Sequence, residues 1–195
     1  STGLQIDIDY PVAPEGADFV SATIRDFVQG MQTETIQQFA EWYDPTFLTF
    51  GWSLGIDYEE FQYSDNIISY NFSVYTYTGG AHGNINYQTY TFDLENGTEV
   101  TYEDLFQADV NELAVISPIV QQALNEHLGE MTDAQWIEDG TGENPDNYQN
   151  FILTDGALIF YFDPYQVAAY AAGPQMVSIP LVDLAEVLAP EFRGE

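Results

Sequence analysis

The pattern of apolar positions at the start of the chain predicts one strand followed by helical structure. Residues 4–10 alternate apolar and polar side chains and stop at Pro11, as a half-buried strand does. From residue 18 to residue 43 the apolar residues recur close to helical spacing. We expect Gly30 and Thr33 to divide this segment into two helices, because both weaken a helix interior.

The middle of the chain, residues 47–94, is rich in aromatic and β-branched residues interrupted by Gly and Asn, which predicts antiparallel strands. The segment 69–77 is the clearest of them. Its alternation places Tyr70, Phe72 and Val74 on one face and Asn71, Ser73, Tyr75 and Tyr77 on the other. The turn 78–83 ends this strand, and an Asn-Gly pair at 96–97 predicts a hairpin after the next one, residues 86–94.

The last part of the chain mixes helical and strand patterns. A capping-box spacing at 101–104 predicts a helical turn, and residues 110–128 predict a helix that contains Pro118. Residues 138–147 are acidic and contain Gly and Pro, which predicts an exposed loop. Two strands, 151–153 and 157–162, flank an Asp-Gly turn; a strand at 176–179 and a helix at 181–188 follow.

These elements predict an α+β fold in which antiparallel sheets pack against helices. The chain has 195 residues, of which 45% are hydrophobic and 15% aromatic, so it can bury a substantial core. We expect two small subdomains, residues 1–65 and residues 66–195.

Charge narrows the range of partners. Thirty-two Asp and Glu residues stand against Arg25, Arg193 and no Lys, giving a formal net charge of −30. Nucleic acid and anionic membranes are therefore improbable partners, whereas cationic proteins and a salty medium are favoured. Adaptation to salt or simple solubility explains the acidity equally well. We expect no direct membrane insertion, because no stretch approaches the roughly 20 apolar residues that cross a bilayer.

Several motifs, taken in order, resemble a known bacterial family. They are Tyr75-x-Tyr77-x-Gly79-Gly80-Ala81-His82-Gly83, Tyr90-Thr91-Phe92-Asp93, Tyr102-Glu103-Asp104-Leu105-Phe106, Leu158-x-Phe160-x-Phe162, Tyr165-x-Val167-Ala168-x-Tyr170-Ala171-x-Gly173 and Val177-x-Ile179-Pro180. Together they resemble the extracytoplasmic domain shared by the lysozyme-sensing anti-sigma factor and the peptidoglycan deacetylase of the PdaC type. The likeness covers residues 66–189 well, and residues 1–65 resemble the smaller domain that often precedes it.

The resemblance implies an exported cell-envelope module that binds a macromolecule and needs no cofactor. In the deacetylase relatives it implies that the chemistry lies in a separate domain, so we expect this chain to be non-catalytic. The partner that we expect first is a cationic protein such as lysozyme. The alternative is a carbohydrate-binding accessory role on cell-wall glycan, and a hydrolase centred on His82 is a third interpretation.

The candidate ligand-binding residues are Tyr75, Tyr77, Gly79, Gly80, His82 and Tyr165. The glycines allow unusual backbone angles and place an imidazole at a strand tip, while the tyrosines suit stacking on sugar or contact with a protein. Core packing is the alternative role for the tyrosines, and a hydrogen bond to backbone is the alternative for His82. Neither a serine-nucleophile motif nor a cysteine supports catalysis here.

We expect no metal site. The two histidines, His82 and His127, are far apart in sequence and lack zinc-ligand spacing, and there is no cysteine. Calcium in the predicted loop 138–147 stays open, because Asp139, Glu143, Asp146 and Asn147 offer oxygen ligands although their order does not match an EF-hand.

Overall fold

The computed structural model describes residues 3–42, residue 44 and residues 51–194, and it confirms the α+β class. The described helices are α1 (Asp18–Trp42), α2 (Leu113–Leu128) and α3 (Ala134–Thr141). The strands are β1 (Leu4–Ile8), β2 (Trp52–Gln62), β3 (Ile67–Tyr77), β4 (Asn84–Asp93), β5 (Thr98–Glu99), β6 (Phe151–Leu153), β7 (Ala157–Phe162) and β8 (Gln175–Pro180). Part of the strand-rich segment predicted to begin at residue 47 lies outside the described residues.

The strands form two sheets. One has five strands in the order β1-β2-β3-β4-β5, and the other has three in the order β6-β7-β8. The three-stranded sheet is antiparallel throughout, and β4 and β5 form the hairpin predicted from the Asn-Gly pair. Strands β1 and β2 are parallel, with Ile6 opposite Leu54. A parallel pair needs a crossover connection, and α1 provides it.

Contacts divide the chain into two compact units that alternate along the sequence. The first unit contains Ser1–Glu59 and Phe72–Asn86, and the second contains Glu60–Asn71 and Tyr87–Glu195. The single subdomain boundary at residue 65 stays a prediction of the sequence. Among the described helices, none is long and apolar enough to span a membrane.

The core of the first unit forms on one face of α1. Val20, Ile24 and Val28 are buried at a spacing of four residues, and the ring of Phe27 lies 5.3 Å from that of Phe72. The buried strand residues of this unit include Leu54, Ile56, Phe72 and Val74. The expected division of α1 was wrong, since the helix continues through Gly30. Nothing lies within 4 Å of the place where a Cβ at Gly30 would point, so the position costs only helix propensity.

The core of the second unit joins α2 to the three-stranded sheet. The buried face of α2 comprises Leu113, Ile116, Val120, Leu124 and Leu128, and the sheet contributes Leu158, Phe160, Phe162, Val177 and Ile179. Helix α2 begins at Leu113 and contains Pro118, which lies on its exposed side. The predicted helix is therefore confirmed, with a start three residues later than expected.

The predicted loop 138–147 was wrong, because most of it is helical. Asp133 caps the start of helix α3, and its carboxylate accepts a hydrogen bond from the Trp136 backbone N–H at 2.8 Å. A further 3-10 turn spans Pro145–Tyr148. Gly140 does not break α3, because its missing side chain is required by tertiary packing: a Cβ there would collide with the carbonyl group of Gln166.

The predicted helix 181–188 was also wrong. Only a 3-10 turn, Leu181–Leu184, forms there. The backbone that follows pairs with a distant segment, since Val187 accepts from the Gln107 N–H at 2.9 Å and Ala189 donates to the Leu105 carbonyl at 2.9 Å. These long-range hydrogen bonds replace the ones that a helix would need.

Hydroxyl side chains link β6 to the larger sheet within the second unit. Thr89 Oγ1 accepts from the Phe151 N–H at 2.9 Å, and Ser69 Oγ accepts from the Leu153 N–H at 3.0 Å. Ser69 Oγ also lies 3.3 Å from the Leu153 carbonyl oxygen and 2.8 Å from Thr91 Oγ1. The polar face predicted for β3 is therefore buried near the start of the strand, where the Ser69 hydroxyl accepts a hydrogen bond from the backbone of β6.

Candidate functional site

Tyr75 lies on the exposed part of β3, close to two glycines. Its side chain is 40% exposed. The ring lies across Gly83, where any Cβ would collide with it, and on the other side a Cβ at Gly55 of β2 would be 3.6 Å from the Tyr75 Cβ. The absence of a side chain at Gly83 gives the ring its room, whereas the distance at Gly55 is that of an ordinary van der Waals contact. Part of an aromatic ring is thus exposed to solvent on this strand.

Tyr77 and the glycine turn form one local unit. The Tyr77 hydroxyl donates to the Gly80 carbonyl at 2.9 Å, and Gly79 has a φ of 88°, which few residues other than glycine adopt. His82 is exposed, and its Nδ1 lies 3.1 Å from the Gly83 carbonyl oxygen. That oxygen can only accept, so Nδ1 is the donor when this contact is a hydrogen bond. Tyr77, Gly79 and Gly80 therefore shape the turn beside Tyr75.

The sheet face that carries Tyr75 is polar around the ring. Strand alternation and the β1–β2 register place the half-buried Ser53, Ser73 and Tyr77 on this surface together with six residues that we call the Tyr75 face: Gln5, Asp7, Gly55, Asp57, Tyr75 and Ile85. Apart from Gly55, which is half-buried, the members of the Tyr75 face are exposed. An exposed ring flanked by carboxylate and amide groups can stack on the apolar face of a sugar while the polar groups accept its hydroxyl protons.

Tyr165 belongs to the second unit and has a strained backbone. Its φ is 73°, an outlier for a bulky residue, and its side chain is 56% exposed. The indole N–H of Trp136 donates to the Tyr165 carbonyl at 3.0 Å, and the Tyr170 ring lies 5.7 Å away. Burial raises the pKa of the nearby Asp163 carboxyl, which accepts from the Tyr87 backbone N–H at 2.8 Å.

A groove of about 820 Å³ in the second unit was missed from the sequence. Its acidic lining residues are Asp65, Asp93, Glu95, Asp155 and Glu191. Burial alone would raise the pKa of Asp93, but hydrogen bonds from Asn96 and from the Glu95 N–H hold it below its ordinary value. The acidic residues come from separate segments of the chain, which explains why no local sequence signal identified them.

The residues proposed for calcium do not converge. Asp139 lies in α3 and accepts from Gln135 at 2.9 Å, while Glu143 accepts from Asn111 at 3.2 Å. In the part of the chain that the structure describes, no group of three or more His, Cys, Asp or Glu side chains is arranged to hold a metal ion.

Comparison with known families accounts for most of the chain. Residues 1–85 match the family model described as deacetylase PdaC, and residues 103–181 match the one described as a protein of unknown function, DUF3298. The peptidoglycan-N-acetylmuramic acid deacetylase PdaC of Bacillus subtilis is 28% identical over 71% of this chain and 30% of its own length. The two matches support a PdaC/DUF3298 family domain, and each covers less than half of the chain. The expected resemblance to PdaC is confirmed, and the resemblance to the anti-sigma factor stays a prediction.

Other proteins that this chain is similar to have different names. Immunogenic protein MPT64 of Mycobacterium tuberculosis is 36% identical over 60% of this chain and 50% of its own length. An esterase of the same organism is 33% identical over 52% of this chain and 44% of its own length. The chain thus spans about half the length of the mycobacterial relatives or less. A crystal structure of a DUF3298 family protein from Pseudomonas aeruginosa shares the fold, with a TM-score of 0.72 at 18% identity, over 96% of this chain and 86% of that one.

Proposed function

We propose that this chain is an extracytoplasmic, non-catalytic accessory module that binds cell-wall glycan through the Tyr75 face. The name of the Bacillus deacetylase supports a cell-wall role, since its substrate is peptidoglycan. The chain spans only 30% of that relative, which suits an accessory portion of a longer enzyme.

The exposed ring of Tyr75 is the observation that carries the proposal. The ring already lies against the Gly83 backbone, where a Cβ would collide with it, so binding costs less side-chain entropy than it would for a freely rotating ring. Carboxylates at Asp7 and Asp57 accept hydrogen bonds from sugar hydroxyls, and Ile85 adds apolar surface. This combination fits a polyhydroxylated, partly apolar ligand better than it fits an anion.

Sedimentation with purified peptidoglycan tests the proposal. We expect Tyr75→Ala to weaken binding about tenfold, corresponding to about 1.4 kcal/mol for a stacked ring. Tyr58→Ala is the matched control, because Tyr58 is 38% exposed in the same unit but alternates onto the face that contacts Phe72. Equal losses in both variants, or none in Tyr75→Ala, would contradict the Tyr75 face as the glycan site.

A cationic protein such as lysozyme is the second candidate partner. The net charge of −30 and the acidic groove of the second unit favour it, since electrostatic attraction accelerates association with a cation. Calorimetric titration with a cationic lysozyme at low and physiological salt tests it. Saturable binding that survives physiological salt supports a receptor or inhibitor role, whereas binding that disappears with salt reflects charge alone.

A hydrolase centred on His82 is the third candidate, and the esterase relative is the observation that favours it. If this interpretation holds, His82→Ala abolishes turnover of wall-derived esters and amides by the intact chain. Unchanged turnover in that variant, or none in the parent protein, leaves the binding role as the better description.

A further inference from the structure

The turn between β4 and β5 contains the Asn-Gly pair that predicts this hairpin. Asn96-Gly97 is the only Asn-Gly pair in the sequence. Both residues are exposed, and Asn96 also lines the acidic groove of the second unit. Glycine has no Cβ to obstruct an approach to its own backbone nitrogen, so an asparagine before glycine is the one whose side chain that nitrogen attacks most readily. The pair is therefore a chemically reactive position as well as a turn signal.

The reaction expected at such a pair is deamidation, which needs only water. The Gly97 backbone nitrogen gives up its proton and attacks the Asn96 side-chain carbon, Cγ. A C–N bond forms, the bond from Cγ to the amide nitrogen breaks, and that nitrogen takes up a proton and leaves as ammonia. Water then adds to one of the two carbonyl carbons of the cyclic imide and opens the ring. The product is either aspartate or isoaspartate, whose main chain runs through the former side-chain carbon.

Asp93 restrains both reacting groups in the folded hairpin. Its backbone carbonyl accepts the Gly97 N–H at 2.9 Å, so the attacking nitrogen must give up a hydrogen bond before it reacts. Its carboxylate accepts from Asn96 Nδ2 at 2.7 Å and from the Asn96 backbone N–H at 2.9 Å. Ring closure turns the Asn96 side chain towards Gly97 and breaks the contact between Nδ2 and the carboxylate. The folded turn therefore opposes the reaction at the attacking nitrogen and at the carbon that it attacks.

The ionisation of Asp93 opposes the reaction as well. Burial acts to raise the pKa of Asp93, but hydrogen bonds from Asn96 and from the Glu95 N–H hold it below its ordinary value. The group is therefore a carboxylate at neutral pH, which accepts hydrogen bonds and has no proton to donate to the departing amide nitrogen. Its negative charge also disfavours the anion that forms on the Gly97 nitrogen.

We propose that Asn96 is the deamidation site of this protein and that Asp93 keeps its reaction slow while the hairpin is folded. Conversion to aspartate replaces an N–H donor by a carboxylate next to Asp93, so two like charges meet in a groove that is already acidic. Isoaspartate instead lengthens the backbone of the turn, which fixes the pairing of Asp93 with Thr98. Either product weakens the β4–β5 hairpin, and the added charge strengthens the electrostatic field of the groove.

Peptide mass spectrometry of the intact chain after incubation at mildly alkaline pH tests the proposal. Replacement of NH2 by OH increases the mass of the peptide that contains Asn96. This increase is the deciding readout, because the Asp155-Gly156 turn can form isoaspartate without a change of mass. The same incubation is carried out in urea at a concentration that unfolds the chain. We expect deamidation at Asn96 to be about tenfold slower in the folded protein, because ring closure must first break hydrogen bonds of the turn.

Variants separate the role of Asp93 from a general loosening of the fold. Asp93→Ala should deamidate at Asn96 about fivefold faster than the parent protein when folded, and at the same rate in urea. Asp93→Asn keeps an oxygen acceptor without the charge, and we expect an intermediate rate. Asp133→Ala is the matched control, because it removes a carboxylate that accepts a backbone N–H elsewhere in the second unit. The proposal is overturned if the folded parent reacts as fast as the unfolded chain, if Asp93→Ala reacts no faster than Asp133→Ala, or if another asparagine deamidates first.

Discussion

Replacing Tyr148 by Phe removes one buried hydroxyl and leaves the ring in place. Tyr148 is fully buried, and its ring packs 5.1 Å from that of Phe160, so the Phe variant keeps its packing. The hydroxyl donates to the Thr141 carbonyl at 2.6 Å and lies 3.0 Å from Ser117 Oγ. It therefore connects α2, the end of α3 and the 3-10 turn that contains Tyr148.

The expected cost is about 2 kcal/mol of unfolding free energy. A buried acceptor that loses its partner costs roughly 1–3 kcal/mol, and removing the hydroxyl itself recovers part of its own desolvation. The Thr141 carbonyl keeps one other contact, from Gln121 Nε2 at 3.4 Å, which is too long to compensate fully. Ser117 Oγ also loses its contact with the phenol.

Urea denaturation of a double-mutant cycle measures this value. We expect Tyr148→Phe and Ser117→Ala to be non-additive, because the second change removes a group that the first leaves unpaired. The double variant should therefore lose about 1 kcal/mol less than the sum of the single variants, at an unchanged denaturant slope. A loss under about 0.5 kcal/mol in Tyr148→Phe, or strict additivity, would refute the assigned hydrogen-bond network.

Three further predictions address backbone contact, the hydroxyl link and pH. Gly140→Ala should destabilise the protein by about 2 kcal/mol because the new Cβ collides with the Gln166 carbonyl. Gly30→Ala should instead stabilise it by about 0.5–1 kcal/mol, because the new methyl group lies on an open helix surface. Thermal denaturation of the two variants compares these values. Ser69→Ala should cost about 1–3 kcal/mol by leaving a backbone N–H of β6 unpaired, and hydrogen exchange at that amide should accelerate. Burial raises the pKa of Tyr90 to about 12 from an ordinary 10. The stability that the protonated Tyr90 contributes is therefore complete below pH 10 and is lost as the pH rises through 12. Tyr90→Phe should make the free energy of unfolding depend less on pH across that window.

Local signals in the sequence were enough to predict most strands and turns. Alternation identified β1 and β3, and the Asn-Gly and Asp-Gly pairs identified hairpins, because these features depend on neighbouring residues. Glycine misled the sequence interpretation twice. Gly30 and Gly140 suggest helix breaks, but one is tolerated on an open helix surface and the other is required by a contact with Gln166.

The candidate site was predictable only in its exposed part. Strand alternation placed Tyr75 on the polar face, and the structure leaves its ring 40% exposed. The proximity of Gly55 to Tyr75 was invisible because Gly55 lies on another strand, 20 positions away. The restraint that Asp93 places on the Asn-Gly pair was equally invisible, since the pair by itself predicts only a turn and its hydrogen bonds to Asp93 depend on the folded hairpin.

The hydroxyl groups that bind the backbone of β6 also affect the tendency of this protein to aggregate at high concentration. An edge strand offers unpaired N–H groups to any passing strand, and such pairing begins the growth of aggregates. Strand β6 is an edge of its sheet, yet Thr89 and Ser69 already occupy the N–H groups of Phe151 and Leu153. An incoming strand would have to displace them, so two small side chains protect a strongly β-forming Phe-Ile-Leu sequence from self-association.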